Sequence, residues 1–333
     1  MPRGRSPVPV RAPLSAALAA VVAVGTGVGA GGAPRLRADG RPRPSSGALA
    51  RPGGLRPCGY LRGRPRVDQV LVIWEENHSY SSVIGSPAAP EINRLAARCG
   101  LATGYVALDH PSLPNYLQMT SGALYSHSPW TSDCGPSGAC TTRVASVFSE
   151  LDQAHKQWRS YAESMATNCD LVTAGTYAAR HNPAVYYTSV RRRCQQWDQP
   201  LGTLSEGPLS SALAHGPRAA LTTVSPNVED DMHDGTVKQA DTWLAGWVPR
   251  IVASPAYRSG HLAVLIVWDE GFGSGDQQSS APLVVMSAST PAGTRSGLAF
   301  NDFSVLRTVS QLSGVRPLGS AARAPSLVRP FRL

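Results

Sequence analysis

The segment HLAVLIVW, residues 261–268, decides the fold class. An apolar run of this kind, without alternating polar residues, is typical of a strand that is buried on both faces. A second such run, DQVLVIW, occupies residues 68–74. Further strands are predicted at 101–108, 219–224 and 281–287.

Between these strands lie segments that are predicted to be helices. Some have apolar residues at helical spacing, and others begin with turn residues that are typical of a helix start. Because strands alternate with helices, we predict an α/β fold. Its form is a three-layer α/β/α sandwich with a mostly parallel sheet, in one domain over residues 67–333. Residues 125–200, rich in Cys, Pro, Tyr and Trp, are expected to be an irregular insertion. The predicted helices are Pro90–Cys99, Ser112–Gly122, Val144–His155, Leu209–His215, Thr236–Val252 and Phe303–Leu312.

The net charge of +9 is concentrated at one end of the chain. Residues 1–66 contain twelve Arg, no Lys and one acidic residue, whereas the remainder has 19 basic and 21 acidic residues. The predicted domain is therefore close to neutral. This argues against a nucleic-acid-binding fold, in which basic residues cluster on the fold itself.

The first 33 residues are expected to be an export signal. Three arginines precede a short apolar stretch, residues 14–24, and small residues at 28–33 offer cleavage positions. An uncleaved anchor is the alternative, but the stretch is short and rich in Ala and Gly. Residues 34–66, rich in Arg, Pro and Gly, are expected to be a disordered leader. We therefore expect a secreted protein with no membrane span after cleavage.

Six cysteines follow the predicted signal, and an even number in an exported chain favours disulfides. Six cysteines allow 15 pairings. We favour the two pairs that close short loops, together with one that ties the end of the leader to the domain. The alternative is a set of buried free thiols. The favoured pairs are Cys58–Cys99, Cys134–Cys140 and Cys169–Cys194.

Polar residues follow four predicted strands, and several of them are acidic. In open parallel sheets, ligands bind beyond the carboxyl ends of the strands. Any one of these carboxylates could be a helix cap or a solvated charge, but four groups at one edge favour a site. Like charges gathered there repel unless they are protonated or bound to metal, and a divalent cation with oxygen ligands fits them. The segments are EENHS (75–79), DHPSLPN (109–115), SPNVEDDMHD (225–234) and DEG (269–271).

Ser112 begins a predicted helix directly after a strand and turn. The free N–H groups at a helix N-terminus attract anions. A hydroxyl at that place beside a metal can be deprotonated and attack phosphorus or sulfur. The alternative is that Ser112 is only a helix N-cap.

Four motifs together resemble the phosphoesterase family of bacterial phospholipases C and acid phosphatases, within the alkaline-phosphatase superfamily. The resemblance covers roughly residues 67–333 and implies an alkaline-phosphatase-like fold. It also implies a metal-dependent hydrolase of phosphoric esters that uses a serine nucleophile. The motifs are EENHS (75–79), HPSLPNY (110–116) with TSG (120–122), PNVEDDMHD (226–234) and WDEG (268–271).

The resemblance assigns roles to individual residues. Ser112 matches the nucleophile, Asn115 matches a residue that holds a phosphoryl oxygen, and His233 belongs to a catalytic acidic/histidine loop. His78 and His110 lie beside the motifs as catalytic or supporting residues. The implied metal ligands are Glu76, Asn77, Ser112, Asp231, Asp269 and Glu270.

Three departures from the family pattern are visible. A cysteine pair that brackets the acidic/histidine loop in close relatives is replaced by Val228 and Gly235. The acidic run that follows the strand at 261–268 resembles DEDDG in the family, whereas here it is DEGFG at 269–273, with Gly271 and Phe272 in place of acidic residues. A late histidine is replaced by Asp302, which we expect to be a metal ligand, the N-cap of the last helix, or both.

We therefore expect a secreted hydrolase of small-molecule or lipid phosphate esters, similar to acid phosphatase or phospholipase C. Its cofactor is expected to be a divalent metal cation whose identity the sequence leaves open. We expect a monomer that binds no nucleic acid. The alternative, motivated by Asp302, is a catalytically degenerate exported protein that binds phosphorylated glycans or lipids.

Overall fold

The computed structural model describes residues 56–63, 65–215, 219–271 and 279–333. The predicted export signal and residues 34–55 of the predicted leader lie outside the described residues, and so does Phe272 of the DEGFG run. No helix among the described residues is long and apolar enough to cross a membrane.

An eight-stranded sheet forms the centre of the described domain. Its strand order is β10-β2-β9-β7-β1-β6-β4-β5, and all neighbours are parallel except that β9 runs antiparallel to β2 and β7. The two remaining strands, β3 and β8, pair with each other. The strands are β1 (Gln69–Glu75), β2 (Gly100–Ala102), β3 (Val106–Ala107), β4 (Trp158–Ala162), β5 (Asp198–Pro200), β6 (Leu221–Ser225), β7 (Leu262–Trp268), β8 (Ser279–Ser280), β9 (Leu283–Ser287) and β10 (Thr294–Ser296).

Strands β1 and β7 are the two apolar runs of the sequence, and every residue in both strands is buried. They pair in parallel along their whole length, from Gln69 opposite Leu262 to Glu75 opposite Trp268. The residues that follow the two strands therefore emerge side by side at the carboxyl edge of the sheet.

Helices cover both faces of the sheet, and the predicted three-layer α/β/α arrangement is confirmed. On the helical layers, α3 packs against α9, which contacts β1, and α7 packs against α2, α6 and α8. The helices are α1 (Tyr80–Val83), α2 (Pro90–Arg98), α3 (Ser112–Ser121), α4 (Val147–Gln153), α5 (Arg191–Trp197), α6 (Pro208–His215), α7 (Val237–Ala253), α8 (Pro255–Arg258), α9 (Asp302–Ser313) and α10 (Val328–Phe331).

Helix α3 is a buried helix with sharply defined ends. All ten of its residues are buried, and Pro111 precedes its first residue, Ser112. Gly122 ends the helix with φ of 72°, a left-handed conformation that glycine adopts without strain. A Cβ atom at Gly122 would lie 2.2 Å from the carbonyl oxygen of Leu318. The close packing at its C-terminus fixes α3, and with it the position of Ser112.

The segment at 125–200 is irregular only in part, because it supplies β4 and β5 to the central sheet. The sequence of β4 is WRSYA, in which Arg159 and Ser160 interrupt the apolar run. The guanidinium of Arg159 lies 4.8 Å from the ring centre of Trp197, which compensates for its place on the strand. The expectation that the segment is irregular is therefore wrong for these two strands.

Two other predicted elements differ from the structure. The single strand predicted at 101–108 is split into β2 and β3 by a turn at Thr103 and Gly104. A Cβ atom at Gly104 would lie 2.6 Å from the carbonyl oxygen of Leu298, so the chain bends where only glycine fits. Helix α4 begins three residues later than predicted, because Ser146 forms a capping box with Ser149.

All six cysteines of the sequence are paired. The three disulfides are the favoured ones, Cys58–Cys99, Cys134–Cys140 and Cys169–Cys194. The alternative of free thiols is therefore wrong.

Candidate active site

The carboxyl edge of the sheet brings together residues that are far apart in the sequence. Glu76 follows β1, Asp269 and Glu270 follow β7, and Asp231 lies in the loop after β6. The backbone N–H of Glu76 donates to the carbonyl of Asp231 at 2.8 Å. This hydrogen bond joins the segment after β1 to the loop after β6. Ser112 completes the group from the first turn of α3.

Ser112 is buried, with 1% of its surface exposed, and its hydroxyl points at carboxylates. Its Oγ donates to Glu76 Oε2 at 2.9 Å and lies 3.5 Å from Glu270 Oε1. Ser112 is the first residue of α3 rather than its N-cap, which is Pro111. The alternative that Ser112 is only an N-cap therefore does not describe its contacts.

Three buried carboxylates converge beside Ser112. One oxygen from each of Glu76, Asp269 and Glu270 lies within 4.8 Å of the others. Burial is the main cause that raises the pKa of Asp269 to about 7 and that of Glu270 to about 10, and the charge of Asp269 adds to the effect on Glu270. Asp269 Oδ2 is buried with no hydrogen-bond partner among the described residues. An oxygen-rich group with an unpartnered carboxylate oxygen fits a hard divalent cation.

Asn77 contacts this group through its backbone. Its N–H donates to Asp269 Oδ1 at 3.3 Å, and its φ of 48° lies in the left-handed region that Asn tolerates. The structure thus places Asn77 next to the converging carboxylates.

His181 is a member of the site that the sequence analysis missed. It is buried, with Nδ1 2.9 Å from Asp231 Oδ2 and Nε2 3.1 Å from Glu76 Oε1. Its ring stacks on Tyr116 at 5.5 Å between ring centres, and the Tyr116 hydroxyl donates to Glu76 Oε1 at 2.5 Å. Burial first, and then the charges of Arg180 and His233, lower the pKa of His181 well below its usual value.

The sequence offered only a weak indication of His181. It ends a 3₁₀ turn, Ala179–His181, inside the segment expected to be irregular, and it follows no predicted strand. The useful indication would have been a histidine followed by Asn-Pro in a segment expected to lie over the site.

His233 and Arg180 form a partly exposed polar pair beside His181. Arg180 Nη2 donates to His233 Nε2 at 2.9 Å, so His233 Nδ1 donates to Asp234 Oδ1 at 2.8 Å. The His233 ring centre lies 5.4 Å from that of His181. The structure thus places His233 next to His181, and its catalytic role stays a prediction. Arg180 is an additional cation that the sequence did not single out.

Asn115 is engaged in local structure. Its Oδ1 accepts from the N–H of Asp109 at 2.9 Å, and its Nδ2 donates to the Asp109 carbonyl at 2.8 Å. The side chain closes the loop before α3.

Asp302 is buried near the site, but both of its oxygens accept hydrogen bonds from other residues. Oδ1 accepts from the Tyr105 hydroxyl at 2.8 Å, and Oδ2 accepts from the Leu108 N–H at 3.3 Å. The N-cap of α9 is Asn301, which forms a capping box with Ser304, so the expectation that Asp302 is the cap is wrong. Asp302 is not one of the three carboxylates that converge beside Ser112.

The two neighbouring histidines contact different parts of the site. His110 Nδ1 lies 2.7 Å from Glu270 Oε2, and its side chain is 44% exposed. His78 Nδ1 lies 3.3 Å from the Glu76 carbonyl. His110 therefore contacts a converging carboxylate through its side chain.

The loop after β6 is closed by backbone contacts where relatives are expected to carry cysteines. The carbonyl of Val228 accepts from Asp234 N at 2.7 Å and Gly235 N at 3.3 Å. A Cβ atom at Gly235 would lie 1.8 Å from the carbonyl oxygen of Glu229, so only glycine fits there. The glycine lets the loop close tightly and hold Asp231 and His233 at the sheet edge.

Comparison with known proteins agrees with this geometry. The model of the Phosphoesterase family matches residues 86–316. The chain is 31% identical over 274 residues to a phosphatidylinositol-3-phosphatase of Mycobacterium tuberculosis, covering 79% of this chain and 82% of that protein. It is 24% identical over 259 residues to an acid phosphatase of Aspergillus fumigatus, covering 74% of this chain and 55% of that protein. The chain thus spans about half the length of that fungal relative.

Solved structures show the same fold. A protein of the alkaline phosphatase superfamily from Vibrio parahaemolyticus superimposes with a TM-score of 0.52 at 11% identity. The match covers 82% of this chain and 73% of the Vibrio chain. A structure described as a putative sulfatase from Bacteroides thetaiotaomicron superimposes with a TM-score of 0.53 at 11% identity, and the match covers 81% of this chain and 75% of the Bacteroides chain. The predicted alkaline-phosphatase-like fold is confirmed.

Proposed function

Because the chain belongs to the Phosphoesterase family and is a hydrolase of phosphate esters, we propose that it is an exported, metal-dependent phosphatase with Ser112 as its nucleophile. Phosphate monoesters, of small molecules or lipids, are the proposed substrates. The names of the bacterial and fungal relatives, a phosphatidylinositol-3-phosphatase and an acid phosphatase, support a monoester.

The observation that carries the proposal is the position of the Ser112 hydroxyl. It lies at the N-terminus of a buried helix, and its Oγ is 2.9 Å from Glu76 Oε2. A serine that serves only the fold has no need to point at converging carboxylates. A nucleophile does need a nearby acceptor for its proton, and the helix N-terminus favours the anion that it attacks.

The residues proposed to hold a divalent cation are those that converge beside Ser112. Glu76, Asp269 and Glu270 supply carboxylate oxygens, with Asn77 and Ser112 next to them. The unpartnered, buried Asp269 Oδ2 is the feature that fits such an ion. When bound, a divalent cation supplies positive charge that favours ionisation of the serine and offsets charge on the phosphoryl oxygens.

In the proposed reaction, Glu76 takes the proton of Ser112 while the bonds to phosphorus are exchanged. As the Ser112 proton passes to Glu76 Oε2, Oγ forms a bond to phosphorus and the bond to the leaving alcohol breaks. The departing alkoxide takes a proton from a solvent water, and the hydroxide that remains attacks the phosphoserine. As the bond from Oγ to phosphorus breaks, the proton held on Glu76 returns to Ser112 Oγ. Arg180 and His233 are less buried than His181, and we propose that they contact phosphoryl oxygens or the leaving group.

Export is proposed from the N-terminal pattern and the three disulfides. Disulfides persist in oxidising compartments and are rare in the cytosol. Residues 67–333 are proposed as the catalytic domain, preceded by a leader at 34–66 and a signal at 1–33 that is removed.

The test compares Ser112→Ala with Ser121→Ala. Both serines are buried in α3, but Ser121 Oγ donates to the Leu117 carbonyl at 2.8 Å and lies at the other end of the helix. Hydrolysis of p-nitrophenyl phosphate is measured with Mg²⁺, Mn²⁺, Ca²⁺ or Zn²⁺ added after dialysis against EDTA. We expect Ser112→Ala to lose several orders of magnitude in kcat, and Ser121→Ala to stay near the parent rate. Retention of more than about a tenth of the rate by Ser112→Ala contradicts the nucleophile assignment.

A further inference from the structure

Asp133 lies at the N-terminus of the helix that carries Ser112. Its Oδ1 accepts from the backbone N–H of Leu113, the residue after the proposed nucleophile, at 2.9 Å. Its Oδ2 lies 3.8 Å from Arg180 Nε. One carboxylate therefore contacts both a helix N-terminal N–H group and a guanidinium, two groups that bind phosphate.

Few backbone donors are available at this helix end. Pro114 has no N–H, so among the first three residues of the helix only Ser112 and Leu113 have an N–H group. Asp133 takes the one on Leu113. A phosphoryl group that binds next to Ser112 therefore has its oxygens close to the carboxylate of Asp133.

Arg180 offsets the charge of Asp133 for a substrate only in part. Its Nη2 donates to His233, and its Nε is buried without a hydrogen-bond partner among the described residues, facing Asp133 across 3.8 Å. The positive charge of Arg180 is thus largely opposed by Asp133 before any anion arrives.

The position of Asp133 is fixed by several contacts. Its backbone N–H donates to Trp130 O at 3.2 Å, and the hydroxyl of Tyr186 donates to Cys134 O at 2.8 Å. The Cys134–Cys140 disulfide closes the loop that follows. These contacts hold the backbone of Asp133 in place beside the N-terminus of α3.

We propose that Asp133 is a specificity-determining residue that weakens the binding of doubly charged phosphate relative to singly charged phosphate. The inference rests on the proposed function, because it takes the phosphoryl group to bind at Ser112. A fixed negative charge repels a dianion about twice as strongly as a monoanion at the same distance. Release of the product, inorganic phosphate, is favoured for the same reason.

The test uses Asp133→Asn with Asp133→Ala as its matched variant. Asparagine keeps an oxygen that accepts from the Leu113 N–H and removes only the charge, whereas alanine removes both. Inhibition constants for inorganic phosphate and for dimethyl phosphate are measured at pH 8 against p-nitrophenyl phosphate hydrolysis. At that pH the first is mainly a dianion and the second a monoanion.

We expect Asp133→Asn to bind phosphate about tenfold more tightly and dimethyl phosphate less than about threefold more tightly. Asp133→Ala should show the same preference with a lower Tm, because its helix cap is lost. Unchanged or weaker phosphate binding in Asp133→Asn, or an equal gain for both anions, overturns the inference. The Ser112→Ala measurement fails or succeeds independently, so a failure of the proposed function is recognised separately.

Discussion

His181 Nδ1 and Asp231 Oδ2 lie 2.9 Å apart in the interior of the site, and they join a 3₁₀ turn to the loop after β6. The other ring nitrogen lies 3.1 Å from Glu76 Oε1. A single imidazole thus lies between two carboxylates that follow different strands.

Substitution of His181 should separate these two contacts. Asparagine places its amide near the position of Nδ1, and glutamine places its amide near the position of Nε2. If the contact to Glu76 matters for the reaction, His181→Asn should lose about 100-fold in kcat/KM and His181→Gln about tenfold. Kinetics with p-nitrophenyl phosphate, with Tm as the folding control, check this; equal losses in the two variants contradict it.

Asp302 should have no effect on metal preference. Both of its oxygens already accept hydrogen bonds, from Tyr105 and from the Leu108 N–H. We expect Asp302→Ala to lower the free energy of unfolding by about 1–3 kcal/mol, because two buried donors lose their partner. Activity across the metal series should keep the order of the parent protein. A changed order would instead show that Asp302 is a ligand.

Asp241 of α7 caps helix α2 from a distant part of the chain. Its Oδ1 accepts from Ile92 N at 2.8 Å, and its Oδ2 accepts from Glu91 N at 3.1 Å. Asp241→Ala should therefore lower the free energy of unfolding in urea by about 1 kcal/mol, and Asp241→Asn by less, since Asn is also a good cap. Equal losses would show that the charge, rather than the cap, stabilises this contact.

Buried Asp198 should make stability depend on pH. Burial raises its pKa to about 7, so the folded state favours the protonated form. Stability from this group is therefore greatest at low pH, and it falls as the pH rises from about 4 through 7, by at most about 4 kcal/mol. Urea unfolding at pH 5 and pH 8 should show a smaller loss for Asp198→Asn than for the parent. A parallel loss in both proteins rules out Asp198 as the source.

The disulfides should differ in their contribution to stability. In the chain-entropy account, stabilisation grows with the length of the loop that the bond closes. The Cys58–Cys99 bond spans 41 residues and the Cys134–Cys140 bond spans 6. Replacing the first pair with Ser should lower the free energy of unfolding by about 4 kcal/mol, and replacing the second by about 2 kcal/mol. The opposite order in denaturant unfolding would refute this.

The sequence was sufficient for the centre of the sheet and for most of the carboxylates. Runs of buried apolar residues identify β1 and β7, and parallel neighbours necessarily bring Glu76 and Asp269 to one edge. No pattern in the sequence measures how an irregular segment folds back over that edge. His181, Arg180 and Asp133 all come from such segments, so their contacts became visible only in three dimensions.

Strand β4 was missed for a different reason. Its inner residues, Trp158, Ser160 and Tyr161, are buried, but Arg159 and Ser160 break the periodicity that predicts a strand. Tertiary packing of Arg159 on Trp197 overrides the local preference.

The strand order has a consequence for the way the chain is made. β1 is synthesised early, yet its two neighbours, β6 and β7, follow well over a hundred residues later. Until β6 has emerged, β1 lacks a hydrogen-bonding partner on both sides, and until β7 has emerged it lacks one on one side, which promotes aggregation. The three carboxylates beside Ser112 likewise cannot converge before Glu270 has been added. The centre of the sheet and this group of carboxylates can therefore form only after β7 and the two acidic residues that follow it have been added.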